Sequence, residues 1–213
     1  MSAHAPRRIV ACTLLVLLAL PALGNADRCA AQPRLTKVPG KRLSRALYTA
    51  PDAEFTLGLN EWLLPGARAE EQQVAASTRG VIFVDDFGGA YGVMRTVDAE
   101  TLTVERIAEG FTVSDLLREK EIVTTSRGEE LRLLGIDRGG SPMVIRTREG
   151  KEWSERKVDL FSAWSVFLDH GVMYRVTASV SQLEHESDAL LFERAKRKLE
   201  SMLAQLSIRP PGP

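Results

Sequence analysis

The chain is poor in the residues that usually announce chemistry. It has 2 cysteines and 3 histidines among 213 residues. Cys12 lies in an apolar N-terminal segment, so loss of that segment leaves Cys29 alone, and one cysteine excludes an internal disulfide. His4, His170 and His185 do not make a zinc spacing: His185–Glu186 opens as H-E, but Ala189 stands where H-E-x-x-H needs its second histidine. A site joining His170 and His185 is weighed against a turn histidine and a loop histidine, and the second reading is preferred. No serine occupies G-x-S-x-G, because "GGSPM" ends in Met143 instead of glycine. An excess of either charge is missing as well. The balance of 28 basic against 28 acidic side chains excludes a general attraction to nucleic acid. The sequence therefore nominates no catalytic, cofactor-binding or metal-ligating residue, and it predicts a protein that is not an enzyme and carries no cofactor.

What is present begins with an address. "MSAHAPRR" supplies a charged start, "IVACTLLVLLALPAL" is apolar, and small residues follow at Gly24 and Ala26. This is the pattern of a cleaved secretory signal over residues 1–24, cut after Gly24 or Ala26. An uncleaved anchor is less favoured, since a span needs about 20 apolar residues and this run is broken by Pro21. "IVAC" lacks the preceding apolar segment of a lipobox, and Cys29 follows Arg28 where a small residue is needed. Twin arginines Arg7–Arg8 are flanked by residues that match a folded-export signal poorly. Removing residues 1–24 takes two arginines and no acid, leaving a net charge of −2. The expected compartment is periplasmic or extracellular.

Residues 25–47 form a basic leader, with Arg28, Arg34, Lys37, Lys41, Arg42 and Arg45 against Asp27, broken by Pro33, Pro39 and Gly40. A solvated linker is the preferred reading, and weak contact with an anionic membrane surface is the alternative. One domain is expected over 48–208, followed by a Pro-rich tail at 209–213. Phe55, Leu57 and Leu59 alternate as a half-buried strand ending near Trp62 and Pro65. "GARAEEQQVAASTRG" is polar and predicts a loop. Thr112 with Asp115 resembles a capping box and predicts a short helix carrying Val113, Leu116 and Leu117. Hairpins are expected about Gly88–Gly89, about Arg138–Ser141 and about Asp169–Gly171. Behind Ser187, the spacing of Leu191, Ala195, Leu199, Met202, Leu203 and Leu206 predicts a helix of about 20 residues, stopping before Pro210–Pro211. Its basic run Arg194–Lys198 is expected to be a solvated face supported by a Glu193–Arg197 pair. Trp62, Trp153 and Trp164 are expected in the core or at its rim.

"VDDFGGAYGVM" holds a D-F-G at Asp86–Gly88 that invites a nucleotide reading. The partners of that motif are missing: there is no H-R-D loop, Phe87 stands at the first position of a would-be G-x-G-x-x-G, and a strand follows instead of a helix. With Gly88–Gly89 as a two-residue turn, Val84 would face Val93, and Asp85 and Asp86 would point to opposite faces, unable to form a carboxylate pair. The prediction is a turn. An unrecognised hydrolase would instead need Asp85 or His170 to converge with other buried polar groups in a cleft.

The order of these elements resembles a known family. "YTAPDAEFTLGL", "GVIFVDDFGGAYGVM", a short helix, further strand pairs, "VMYRVTASV" and a long helix ending "LAQLSI" are similar to the PsbP-like α/β/α sandwich over Tyr48–Ile208. The resemblance implies an α+β fold, an antiparallel sheet with a short helix and a long C-terminal helix packed against it. It also implies a non-enzymatic role outside the cytoplasm, binding a protein partner or stabilising an assembly. The sheet face, the sheet edge and the leader are the candidate surfaces. No functional residue carries over. A carrier or sensor of a small apolar or amphipathic ligand is the second reading, favoured by a cavity of about 300 Å³ or more.

Overall fold

Seven strands pair antiparallel throughout into one sheet, and its two faces carry separate apolar clusters. The computed structural model describes residues 47–59, 63, 67–85, 88–97, 99, 101–146, 153–181 and 186–209, without the side chains of Arg68, Gly140–Arg146 and Trp153–Lys157. The expected signal, the leader up to residue 46, both cysteines, Trp62, Pro65, Asp86, Phe87, His185 and the tail from Pro210 lie outside the described residues.

In chain order the elements are β1 (Leu47–Thr49), β2 (Phe55–Gly58), β3 (Arg68–Ala75), β4 (Thr78–Val84), β5 (Ala90–Thr96), α1 (Val104–Glu109), β6 (Leu117–Thr125), β7 (Gly128–Arg146), β8 (Trp153–Asp169), β9 (Val172–Ser181), α2 (Asp188–Gln205) and β10 (Leu206–Ile208). The large sheet runs β3-β4-β5-β9-β8-β7-β6, and β1-β2-β10 make a small second sheet. The class is α+β, as the sequence predicts.

Strand alternation explains the two faces. On β8, Phe161, Ala163 and Phe167 join the cluster under α2 and the small sheet, while Trp164 and Val166 join the cluster under α1. Phe55, Leu57 and Leu59 are buried on one side of β2 as expected. Ser187 caps α2, accepting from the Leu190 N–H, and Leu191, Ala195, Leu199, Met202 and Leu203 are its buried face. The Asp169–Gly171 hairpin is present too. Asp169 pairs with Val172, and His170 and Gly171 have φ of 48° and 74°, as a two-residue turn requires.

Four expectations need correction. The polar stretch expected as a loop is β3 with the start of β4. It is an edge strand with Gln73 exposed and Glu70, Glu71 and Gln72 half-buried, tied inward by Ala69 and by the Tyr48 hydroxyl donating to Glu71 at 3.2 Å. The short helix does not start at Thr112. It runs from Val104 behind an N-cap at Thr103, and the Thr112 segment leads into β6. Arg138–Ser141 is a bulge within β7, not a hairpin turn. The hairpin at Gly88–Gly89 exists with a longer loop: Val84 pairs with Ala90, not Val93, and the Asp85 N–H donates to Gly89 O at 3.0 Å.

Candidate functional site

The segment between α1 and β6 is pinned at both ends and arches over the sheet. At one end Lys120 on β6 reaches back, its Nζ donating to Ala108 O at 3.1 Å and to Phe111 O at 2.7 Å. At the other, Ser114 Oγ accepts from the N–H groups of Leu116 and Leu117, both at 3.3 Å. The Ile136 N–H then donates to Leu116 O at 2.7 Å, tying the segment to β7. Gly135 permits this closeness. A Cβ there would lie 3.0 Å from the Trp164 ring and 2.5 Å from the Leu116 carbonyl.

Beneath the arch is a cleft of about 130 Å³, walled by Phe111, Leu116, Leu117, Leu133, Ile136 and Trp164. One acid, Asp137, completes it. Asp137 is 7% exposed, and its Oδ2 has no hydrogen-bond partner among the described residues. Burial raises its pKa above the usual aspartate range, and the Asp159 carboxylate raises it further. The bulge sets this geometry. Asp137 pairs with Leu160 and Ser141 with Val158, so residues 138–140 stand opposite Asp159 alone. Gly139, with φ of 67°, donates its N–H to Asp159 Oδ1 at 2.7 Å and fixes that carboxylate beside the turn of chain.

The mouth of the cleft is apolar. Val113 is 53% exposed and Leu116 38%; Ile122, at 42%, lies farther along β6, an edge strand among the described residues. Thr112 and Ser114 are the other polar residues of the lining, and the Ser114 hydroxyl already accepts two backbone hydrogen bonds. Apolar walls with one buried acid can hold an apolar stem beside a polar group.

The remaining polar groups are arranged differently. Asp85 is buried, accepting from the Gly89 N–H at 2.7 Å and the Tyr91 hydroxyl at 3.1 Å. Burial and then the Asp85 carboxylate push the Tyr91 pKa up, and Lys198 lies 5.8 Å from its ring centre. His170 is exposed, its Nδ1 2.8 Å from Asp169. Asp85 and His170 do not converge. Ala90 pairs with Ser179 at one end of the β5–β9 ladder and Thr96 with Met173 at the other, roughly 20 Å of strand apart. No group of three or more His, Cys, Asp or Glu that could hold a metal ion occurs among the described residues. A second cavity, of about 300 Å³, has a mixed lining: Tyr48, Ala50, Pro51 and Phe55 stand beside charged groups, with Arg79 ion-paired with Asp52 and Glu54 and Arg95 meeting Glu54 at 2.6 Å.

The basic run of α2 is not a uniformly solvated face. Arg194 is partly buried and donates to Ser181 O at 2.6 Å and to Glu186 at 2.8 Å. Lys196 pairs with Glu119 and Glu193, and Arg197 reaches only the Glu193 carbonyl. Trp164 is in the core, as expected of it, and also walls the cleft. Asp137 is absent from the candidates nominated by sequence. Its signal is faint, a lone acid closing the short run Leu133–Ile136, and the glycines after it suggest a turn where an acid is unremarkable.

No family model matches the chain, and no curated protein matches it. Solved structures of similar fold exist. One is the solution structure of cyanobacterial PsbP (CyanoP) from Synechocystis sp. PCC 6803, with 13% identity and a TM-score of 0.45 over 88% of this chain and 99% of that one. Another is a crystal structure from Bacteroides thetaiotaomicron VPI-5482, with 9% identity and a TM-score of 0.43 over 78% of this chain. The chain spans about half the length of the Bacteroides protein, 49%. The likeness to both is one of fold alone.

Proposed function

We propose that this is a non-enzymatic binding protein of an extracytoplasmic compartment, which docks a protein partner along the β6 edge and across the mouth of the Asp137 cleft. One observation carries the reading: a sheet edge unpaired among the described residues and two exposed apolar side chains, Val113 and Leu116, lie beside a cleft too small for a whole ligand. Sites for drug-sized molecules run from about 300 to 1,000 Å³, against about 130 Å³ here. An open edge offers backbone donors and acceptors to an added strand, and apolar side chains beside it bury area on contact. The N-terminal signal pattern supports the compartment.

The alternative, a periplasmic carrier or sensor of a small apolar or amphipathic ligand, draws on the second cavity, which reaches about 300 Å³. Its charged lining argues against an apolar guest, because entry would strip water from Glu54, Arg79 and Arg95 without replacing it.

Native intact mass of the protein, gently released from its own cell envelope, separates the two. A mass including a second polypeptide, lost when Val113→Glu and Leu116→Glu are combined, is the expected result. A small extra mass that vanishes on denaturation would make it a carrier.

A further inference from the structure

We infer that the Asp137 cleft receives a lysine side chain of the docked partner, with the lysine ammonium meeting the Asp137 carboxylate. The inference rests on the docking reading above and names what that surface selects.

Size is the first argument. An apolar cavity of about 150 Å³ takes one benzene, so the cleft of about 130 Å³ admits a group of about the same size. A lysine side chain, with its alkyl stem and single nitrogen, is of that order. Lining is the second. Phe111, Leu116, Leu133 and Trp164 desolvate an alkyl stem, and two of them are aromatic rings able to face a cation.

Charge is the third argument and the most selective. Among the described residues Asp137 is buried with Oδ2 unpartnered, and its charged neighbour Asp159 is another acid. An apolar anchor would leave that buried oxygen unpartnered, a state that costs binding energy. A compact ammonium satisfies it from any of three directions. A guanidinium is broader than an ammonium, so a cleft this small favours the lysine head.

The test uses the purified chain and two probes, n-butylammonium chloride and 1-butanol, followed by protein NMR. Butylammonium should shift the resonances of Phe111–Leu117, Leu133 and the Trp164 indole, and bind at least tenfold more tightly than butanol. Asp137→Asn should weaken butylammonium at least tenfold while leaving butanol unchanged. Thr112→Trp, at the mouth and away from the carboxylate, should block both probes, and it keeps the test open if the Asn variant folds poorly. Equal affinity for the two probes, or no effect of Asp137→Asn, would overturn the inference. The docking reading fails separately. If the partner complex persists with Val113→Glu and Leu116→Glu, docking here is wrong. If those changes abolish it but Asp137→Asn does not, the docking stands and the lysine falls, even where butylammonium binds.

Discussion

Two buried acids on β7 show how partners divide structure from site. Glu130 is 0% exposed and fully satisfied. Its Oε1 accepts from Thr125 Oγ1 at 2.9 Å and Arg127 Nε at 3.3 Å, and its Oε2 from Ser165 Oγ at 2.9 Å and Arg132 at 2.8 Å. Arg127 also donates twice to Leu203 O at 3.1 Å and lies 5.4 Å from the Phe167 ring, so the acid ties the β6–β7 turn to the last turn of α2. Among the described residues Asp137, seven positions on, has no such set of donors. Nothing local in the sequence separates the two, since Ser165 is 35 positions from Glu130 and Thr125 and Arg127 read as turn residues. Burial, the largest influence on Glu130, raises its pKa, but the hydroxyls and two guanidiniums outweigh it and leave the carboxyl below its ordinary value. The depressed folded value makes this stabilisation fully present above the unfolded glutamate pKa, about 4.3, and lost as pH falls through the lower folded one. Glu130→Gln should cost about 2–3 kcal/mol at pH 7, near the low end for a broken buried pair because both arginines keep some solvent. The gap between the urea midpoints of the two proteins should narrow progressively as pH falls below about 4.3. A gap that stays constant with pH would place the stabilisation elsewhere.

Elements were legible where local chemistry and tertiary pairing agree. Ser187 with the apolar ladder of α2, the Asp169–Gly171 turn and the alternation of Phe55, Leu57 and Leu59 are all present. They were misread where pairing overrides local signal. Thr112 and Ser114 have capping chemistry, but Leu117–Thr125 gains a full ladder against β7, and the Ser114 hydroxyl serves the turn into that strand. "DRGGS" carries turn residues, yet β8 pairs on both sides of it, so the glycines are absorbed as a bulge. That bulge creates the Asp137 cleft, which is why the site was missed along with the strand. It also leaves a two-stranded ribbon. Among the described residues β7 and β8 pair only with each other beyond it, since β6 reaches Gly135 and β9 reaches Leu160. An isolated pair of strands is marginal in water. Replacing Pro142–Lys157 by Asn-Gly, which keeps the Ser141–Val158 pair and the bulge, should change the urea midpoint by less than the equivalent of about 1 kcal/mol. A loss of about 2 kcal/mol or more would mean that the ribbon packs on the body.

At the scale of the whole molecule, one sheet supplies both apolar clusters. The α2 face and the α1 face share β7 and β8, residue by residue: Leu134 and Ile136 go to one, Leu131 and Leu133 to the other. Individual strands and α2 could be inferred from patterning because that depends on period alone, while the α+β class and the antiparallel sheet were implied by the family resemblance. The assignment of faces could not, since a one-residue change of register exchanges them. The shared strands have a consequence for unfolding. Neither face can open while the other keeps its partners, because removing β7 or β8 strips both. Leu199→Ala on α2 and Leu131→Ala under α1 should therefore each lower the stability of a single transition, by about 2–4 kcal/mol for a fully enclosed leucine. Urea curves followed by far-ultraviolet circular dichroism and by tryptophan fluorescence should coincide for both variants, with unchanged slope. A fluorescence transition preceding the dichroism in Leu131→Ala alone would show the α1 face opening by itself. The arch over Asp137 would then be a local unit, free to open for a partner without cost to the rest of the sheet.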